Sequence, residues 1–167
     1  MKEQAMTEQE ILGDLYQETV DYTREHNQVD EPTARIQVRE AVRYLTLVSA
    51  HREQLSGLFL PVEQAIDEVW HYLILQTREY LELCENRLPG GYFIHHRSIS
   101  YGDYGQRQPS REVMIEQFLR WIPLYCGQFG GFDADGGRWW TMVRFLHEEL
   151  GYSLADISAL APAAAPR

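Results

Sequence analysis

Positive charge is scarce in this 167-residue chain: 15 Lys and Arg stand against 25 Asp and Glu, a formal net charge of −10. Proteins that grip nucleic acid neutralise phosphates with basic side chains, so this balance excludes a phosphate-dominated partner. Anionic membrane surfaces are disfavoured for the same reason. Cysteine is scarcer still. Cys84 and Cys126 are too few for a disulfide framework, and a reduced, cytoplasmic setting is the expectation. Long apolar runs are missing as well, since nothing approaches the roughly 18 residues needed to cross a bilayer. Met1 to Glu8 is polar and acidic, without the apolar stretch of a secretory signal. The common catalytic signatures are also lacking. There is no Gly-x-Ser-x-Gly elbow, and His147-Glu148-Glu149 opens like a zinc-protease helix but reaches Gly151 without a second His. The glycine pairs at 90–91, 130–131 and 136–137 lack the Lys-Ser/Thr of a phosphate loop. Asp133-Ala134-Asp135 resembles the start of a calcium loop, but the fifth position is Gly137 and the twelfth is Arg144, so the ligand set fails.

What the chain does have is apolar residues at helical spacing. Hydrophobic residues make up 44% of it, and a chain of this size buries about 70% of its unfolded surface in one core. Thr7 and Glu10 form a capping box ahead of Ile11, Leu12, Leu15, Tyr16, Val20 and Tyr22, which predicts a first helix reaching His26. Pro32 suits the first turn of a second helix that runs to about Gln54. Pro61 opens a third, carried through Ile66, Val69, Trp70, Leu73, Ile74, Thr77, Leu81 and Cys84 until Pro89-Gly90-Gly91. Tyr92 to His96 reads as a strand or an extended loop, and Ile99 to Pro109 as turns. Ser110 caps a fourth helix that Pro123 kinks or ends. A glycine-rich connector from Gln128 to Gly137 leads to a fifth helix, Trp139 to Leu150, and a short sixth, Ser153 to Leu160. The expected fold class is all-α: one bundle-like helical domain over residues 1–160, of five to six helices with irregular connections, followed by a flexible Ala/Pro tail at 161–167.

Residues 67 to 96 carry the chemistry. On one helix Asp67 and His71 are four apart and share a face, with Arg78 seven residues further near the same stripe. Trp70, Thr77 and Cys84 form a neighbouring stripe. Two arrangements are open for the Asp–His pair. The carboxylate can accept a hydrogen bond from one imidazole nitrogen and fix the tautomer. Alternatively both side chains ligate a divalent transition metal. Two ligands do not complete a site, so His95 or His96 has to close it. An extended chain sends those two to opposite sides, and at most one faces the helix. The residue-level alternatives are structural: a hydrogen-bonded core His71, an ion-pairing or capping Asp67, a core Trp70, a small buried Cys84, and Arg78 bracing a carboxylate.

The same segment resembles the signature of the glycine-rich domain-containing protein-like family, found in bacteria, fungi and plants, whose shared domain has no established biochemical role. That pattern reads Asp-x-x-Trp-His, then Leu, Thr, Tyr and Cys at fixed spacing, then Gly and a terminal His. Asp67, Trp70, His71, Leu75, Thr77, Tyr80, Cys84, Gly91 and His95 or His96 occupy those places. The resemblance covers residues 40 to 100 and, beyond them, helical character alone. Some members have a second His two residues after the first, where this chain has Leu73. That departure removes a helix-borne His-x-His pair. The glycine-rich run of plant members has no counterpart among the 12 scattered glycines, so their RNA link does not carry over.

Two functional readings follow. The first is a non-catalytic binding or scaffold domain in which Asp67, Trp70, His71 and Arg78 form a buried polar brace. Its partner would be a protein or peptide, with no nucleic acid and no membrane. Tyr101, Tyr104, Phe129, Phe132, Trp139 and Trp140 gather around the glycine-rich turns, where they either present a recognition surface or cover the core. The second is a metal-binding protein or metal-dependent enzyme that uses His71 with His95 or His96 and Asp67. His51, between a helix end and Arg52-Glu53, is expected to face water.

Overall fold

The computed structural model describes residues 6–58, 60–96 and 110–160. Ten α-helical segments and no strands occur among them, an all-α fold. The expected turns at Ile99 to Pro109, with Tyr101 and Tyr104, and the tail at 161–167 lie outside the described residues. No described helix is long and apolar enough to cross a membrane.

Half of the ten helix starts among the described residues follow from local side-chain caps. Thr7 caps α1 (Glu8–Leu12) with its side chain, and Glu10 returns the bond to the Thr7 backbone. Each of these bonds satisfies an N–H that the first turn leaves without a partner. Asp30 caps α3 (Glu31–Ala50) through Thr33 N–H, and Pro32 sits in the first turn. Ser110 caps α7 (Arg111–Phe129), Asp133 caps α8 (Ala134–Gly137) and Ser153 caps α10 (Leu154–Ser158) in the same way.

The helices are more broken than the periodicity implies. The expected first helix divides at Gly13, whose φ of 55° ends α1 before α2 (Leu15–His26) begins; a β-carbon is strained in that conformation. The Arg87 guanidinium reaches the Glu10 carbonyl beside this break. The expected second helix ends at Ala50, because half-buried His51 leaves helical geometry before a single turn, α4 (Arg52–Leu55). The expected third helix begins only at Gln64 and divides at Gln76 (φ −82°, ψ 64°) into α5 (Gln64–Leu75) and α6 (Thr77–Glu82). α6 continues as a π-helical turn, Leu83–Arg87. Pro123 does not end its helix, since α7 runs through it to Phe129. The glycine connector holds α8, and the fifth helix is α9 (Thr141–Arg144) followed by a second π turn, Phe145–Glu149.

α3 is the spine. Ala34, Val38, Ala41, Val42 and Leu45 face a first core built with Tyr16 and Val20 of α2, Val69 and Leu73 of α5, and Tyr80, Leu83 and Cys84 beyond the break. Leu47 belongs to a second core, where Phe118, Trp121 and Tyr125 of α7 meet Phe132, Trp140 and Ile157. Tyr125 and Phe132 stack there with ring centres 4.1 Å apart. Phe132 and Trp140 are therefore core rather than recognition surface, and Phe129 and Trp139 are half-buried.

One charge lies between the two cores. Glu40 of α3 is fully buried. Its Oε2 accepts from Tyr125 O–H and Trp140 Nε1–H, each at 2.9 Å, while Oε1 takes Arg39 and Arg43 at ion-pair distance. A buried carboxylate is tolerated only when its lone pairs are met in this way. Gly136 fits against it because a β-carbon there would collide with the Glu40 carboxylate and the Arg39 guanidinium. Burial and the neighbouring Glu40 charge push the Tyr125 phenol well above its ordinary range.

Candidate metal centre

α5 presents Asp67 and His71 on one face, as their spacing of four requires. The third member comes from the extended segment after the second break. Four successive alternate residues anchor that segment. Gly90 N–H donates to Ser49 Oγ at 2.8 Å, and only glycine fits there because a β-carbon would collide with the Ser49 carbonyl. Tyr92 O–H donates to the Val48 carbonyl at 2.9 Å. Buried Ile94 offers its carbonyl to the Tyr80 hydroxyl at 2.6 Å. His96, two residues on, then falls on the side of Asp67, with its Nε2 2.8 Å from Asp67 Oδ1. The period of two that carries 92, 94 and 96 to the inner side carries His95 to the other. His95 is exposed and sits edge-on to Phe93.

Tyr80 and Trp70 lock this arrangement from below. The Tyr80 hydroxyl accepts Trp70 Nε1–H at 3.0 Å while it donates to Ile94. Burial raises its pKa far above the ordinary tyrosine value. The Trp70 ring meets the His96 ring edge-on at 4.3 Å. Trp70 is half-buried against the first core and Cys84 is fully buried there. Both agree with the structural roles expected for them.

Asp67, His71 and His96 each bring a donor atom within 4.8 Å of the other two, the one such grouping among the described residues. His71 Nε2 stands 3.5 Å from Asp67 Oδ2 and makes no hydrogen bond among the described residues, although the atom is buried. The His71 and His96 rings are 4.4 Å apart. Donor atoms about 2.1 Å from a common ion stand about 2.9 to 3.4 Å apart for octahedral to tetrahedral angles. The 2.8 Å from His96 Nε2 to Asp67 Oδ1 and the 3.5 Å from His71 Nε2 to Asp67 Oδ2 lie just outside the two ends of that range. Two imidazoles and one carboxylate suit a divalent transition metal and leave its remaining positions open. His96 is 8% exposed as a side chain, against 26% for Asp67 and 34% for His71, so the donors lie at the edge of the core.

Arg78 is not part of this cluster. The loss of helical geometry at Gln76 shifts the phase of α6, and Arg78 stands exposed on an open groove of about 440 Å³ beside Ile11, Leu12 and Arg87. The expected buried Asp-Trp-His-Arg brace is therefore an Asp-Trp-His-His cluster. Sequence reasoning gave no role to Tyr80 or Glu68. Tyr80 stood in the Trp70 to His96 pattern without a partner to explain it. Glu68, on the adjoining face of α5, places Oε2 3.8 Å from His71 Nδ1 and 3.1 Å from His26 Nε2. Its signal in the sequence is a second carboxylate three residues before His71. Comparison of the chain with protein-family models, curated proteins and solved structures gives no match in any of the three.

Proposed function

We propose that this is a metal-binding helical protein in which Asp67, His71 and His96 hold one divalent transition metal through three side chains. The observation that supports the reading is a buried His71 Nε2, without a hydrogen-bond partner among the described residues, grouped with donor atoms of Asp67 and His96 within 4.8 Å of one another. A metal held in this way keeps positions for water or a substrate oxygen and supplies Lewis acidity there. This chain's own residues provide the grip: Tyr80 and Trp70 fix the approach of His96, and α5 fixes the other two ligands. The reading includes membership of the glycine-rich domain-containing protein-like family, supported by Asp67, Trp70, His71 and Tyr80 all serving one cluster. It also includes a reducing, cytoplasmic setting, in keeping with the two free cysteines.

Elemental analysis of protein purified without an affinity tag tests it, together with titration of the metal-free chain with Co²⁺ or Zn²⁺. The expected result is about one equivalent of metal, with His71→Ala and His96→Ala each weakening affinity by more than the roughly 10–100-fold typical of losing an outer hydrogen-bond partner. His95→Ala and Arg78→Ala are expected to bind as the parent does. Less than about a tenth of an equivalent of bound metal, with no uptake on titration, overturns the reading. The 2.8 Å His96–Asp67 hydrogen bond would then be a structural brace in a scaffold for a protein or peptide partner.

A further inference from the structure

We infer that Glu68 is a positioning residue for this centre: it orients His71 so that Nε2 is the nitrogen offered to the metal, and His26 of α2 holds Glu68 in place. The inference rests on the metal-binding reading above. The two ring nitrogens of His71 face two different carboxylates. Nδ1 stands 3.8 Å from Glu68 Oε2, and Nε2 stands 3.5 Å from Asp67 Oδ2.

A neutral imidazole carries one N–H and one lone pair. With the proton on Nδ1, Glu68 Oε2 at 3.8 Å is the nearby acceptor, and the Nε2 lone pair is left for an ion beside Asp67. The opposite tautomer would turn the Nδ1 lone pair toward the Glu68 carboxylate and close Nε2 with a proton. In the metal-free chain the Asp67 carboxylate, 3.5 Å from Nε2, competes for the same proton. A cation between Nε2 and Asp67 removes that competition, and Glu68 is then the carboxylate that holds the proton on Nδ1, by the general rule that the partner of one imidazole nitrogen sets the state of the other.

Glu68 is itself held from the neighbouring helix. The oxygen that faces His71 also meets His26 Nε2 at 3.1 Å. The His26 ring stacks on Tyr22 with centres 5.0 Å apart, and Tyr22 stacks in turn on Tyr72 of α5 at 4.2 Å. The α2–α5 contact therefore ends in a chain from His26 through Glu68 to His71. Loss of the Glu68 charge leaves the shape of the contact and replaces the anionic acceptor that favours Nδ1–H with a weaker neutral amide.

The test uses the full chain, with Co²⁺ as probe. Glu68→Gln is expected to weaken Co²⁺ binding about 10–100-fold and to shift the visible absorption bands of the bound ion, while the circular dichroism of the metal-free chain stays that of the parent. His26→Gln is expected to weaken binding in the same direction by less. Long-range ¹H–¹⁵N spectra of the parent loaded with diamagnetic Zn²⁺ read the ligating nitrogen directly, and Nδ1–H with Nε2 bound is expected for His71. Co²⁺ affinity within about twofold of the parent with unchanged bands, or Zn²⁺ bound through Nδ1 of His71, overturns this inference and leaves the metal-binding reading standing. A parent chain that takes up no Co²⁺ overturns the metal-binding reading itself.

Discussion

Tyr80→Phe separates the anchoring of His96 from the packing beneath it. The substitution keeps a ring of nearly the same size in a position that is 1% exposed and removes only the hydroxyl. That hydroxyl donates to the Ile94 carbonyl at 2.6 Å and accepts Trp70 Nε1–H at 3.0 Å. Ile94 is 4% exposed, so water cannot readily replace the lost donor. A buried polar group left without a partner costs about 1–3 kcal/mol. Trp70 is only half-buried, and its N–H can turn to water, which places the expected loss near the middle of that range. About 2 kcal/mol corresponds to a fall in Tm of roughly 4–8 °C for a domain of this size. The second consequence falls on binding. Without its anchor, the segment that carries His96 must be ordered when metal binds, and fixing one residue costs about 1–2 kcal/mol. Affinity for Co²⁺ should then fall about tenfold, since 1.4 kcal/mol is a factor of ten. Urea unfolding of the metal-free chain gives the first number and Co²⁺ titration the second. A stability change below about 0.5 kcal/mol, or an affinity unchanged while stability falls, would refute the claim that Tyr80 sets the position of His96.

The Glu40 network gives a second expectation. Glu40→Leu strands the Trp140 N–H in the core and deprives Arg39 and Arg43 of their shared carboxylate. Breaking a buried pair costs about 3–5 kcal/mol, and the low end applies because both arginines keep some water; urea unfolding that registers less than about 1 kcal/mol would contradict the network. Alkaline titration gives a third. Tyr80 and Tyr125 have phenol pKa values raised above the ordinary 10.0 by burial. The native state then holds protons that the unfolded state releases. Stability should be full below about pH 10 and decline as pH rises beyond it. Phenolate absorbance should leave these two tyrosines unionised until the chain unfolds, and a titration in which every tyrosine ionises before the circular dichroism changes would refute it.

Where a helix start has a local cause it was legible, as at Thr7 and Ser110, whereas the third helix, expected from Pro61, begins uncapped at Gln64. A Thr, Asp or Ser side chain meets an N–H three residues ahead, and Thr7, Asp30, Ser110 and Ser153 do so. The interruptions were not. Gly13 and Gln76 leave helical geometry inside stretches whose apolar spacing still reads as helix, and the break at Gln76 turned Arg78 away from the face it shares with His71 on paper. The Asp67–His71 pair was legible for the same reason as the caps, since a spacing of four places both side chains on one face of any helix. Glu40 was invisible: between Arg39 and Ala41 it reads as one more acidic residue of a charged helix, and two of its partners, Tyr125 and Trp140, lie 85 and 100 residues away.

By itself the sequence determined an all-helical chain with scarce positive charge and one helix face bearing a carboxylate and an imidazole. It also required that no more than one of His95 and His96 could join that face. Which of them does so was decided by tertiary structure alone. The period of two along an extended chain separates the pair, but its phase is set by where the chain is pinned. Ser49, Val48 and Tyr80 pin it at Gly90, Tyr92 and Ile94. Those bonds span 14 to 44 residues, and they place His96 over Asp67 while turning His95 to water.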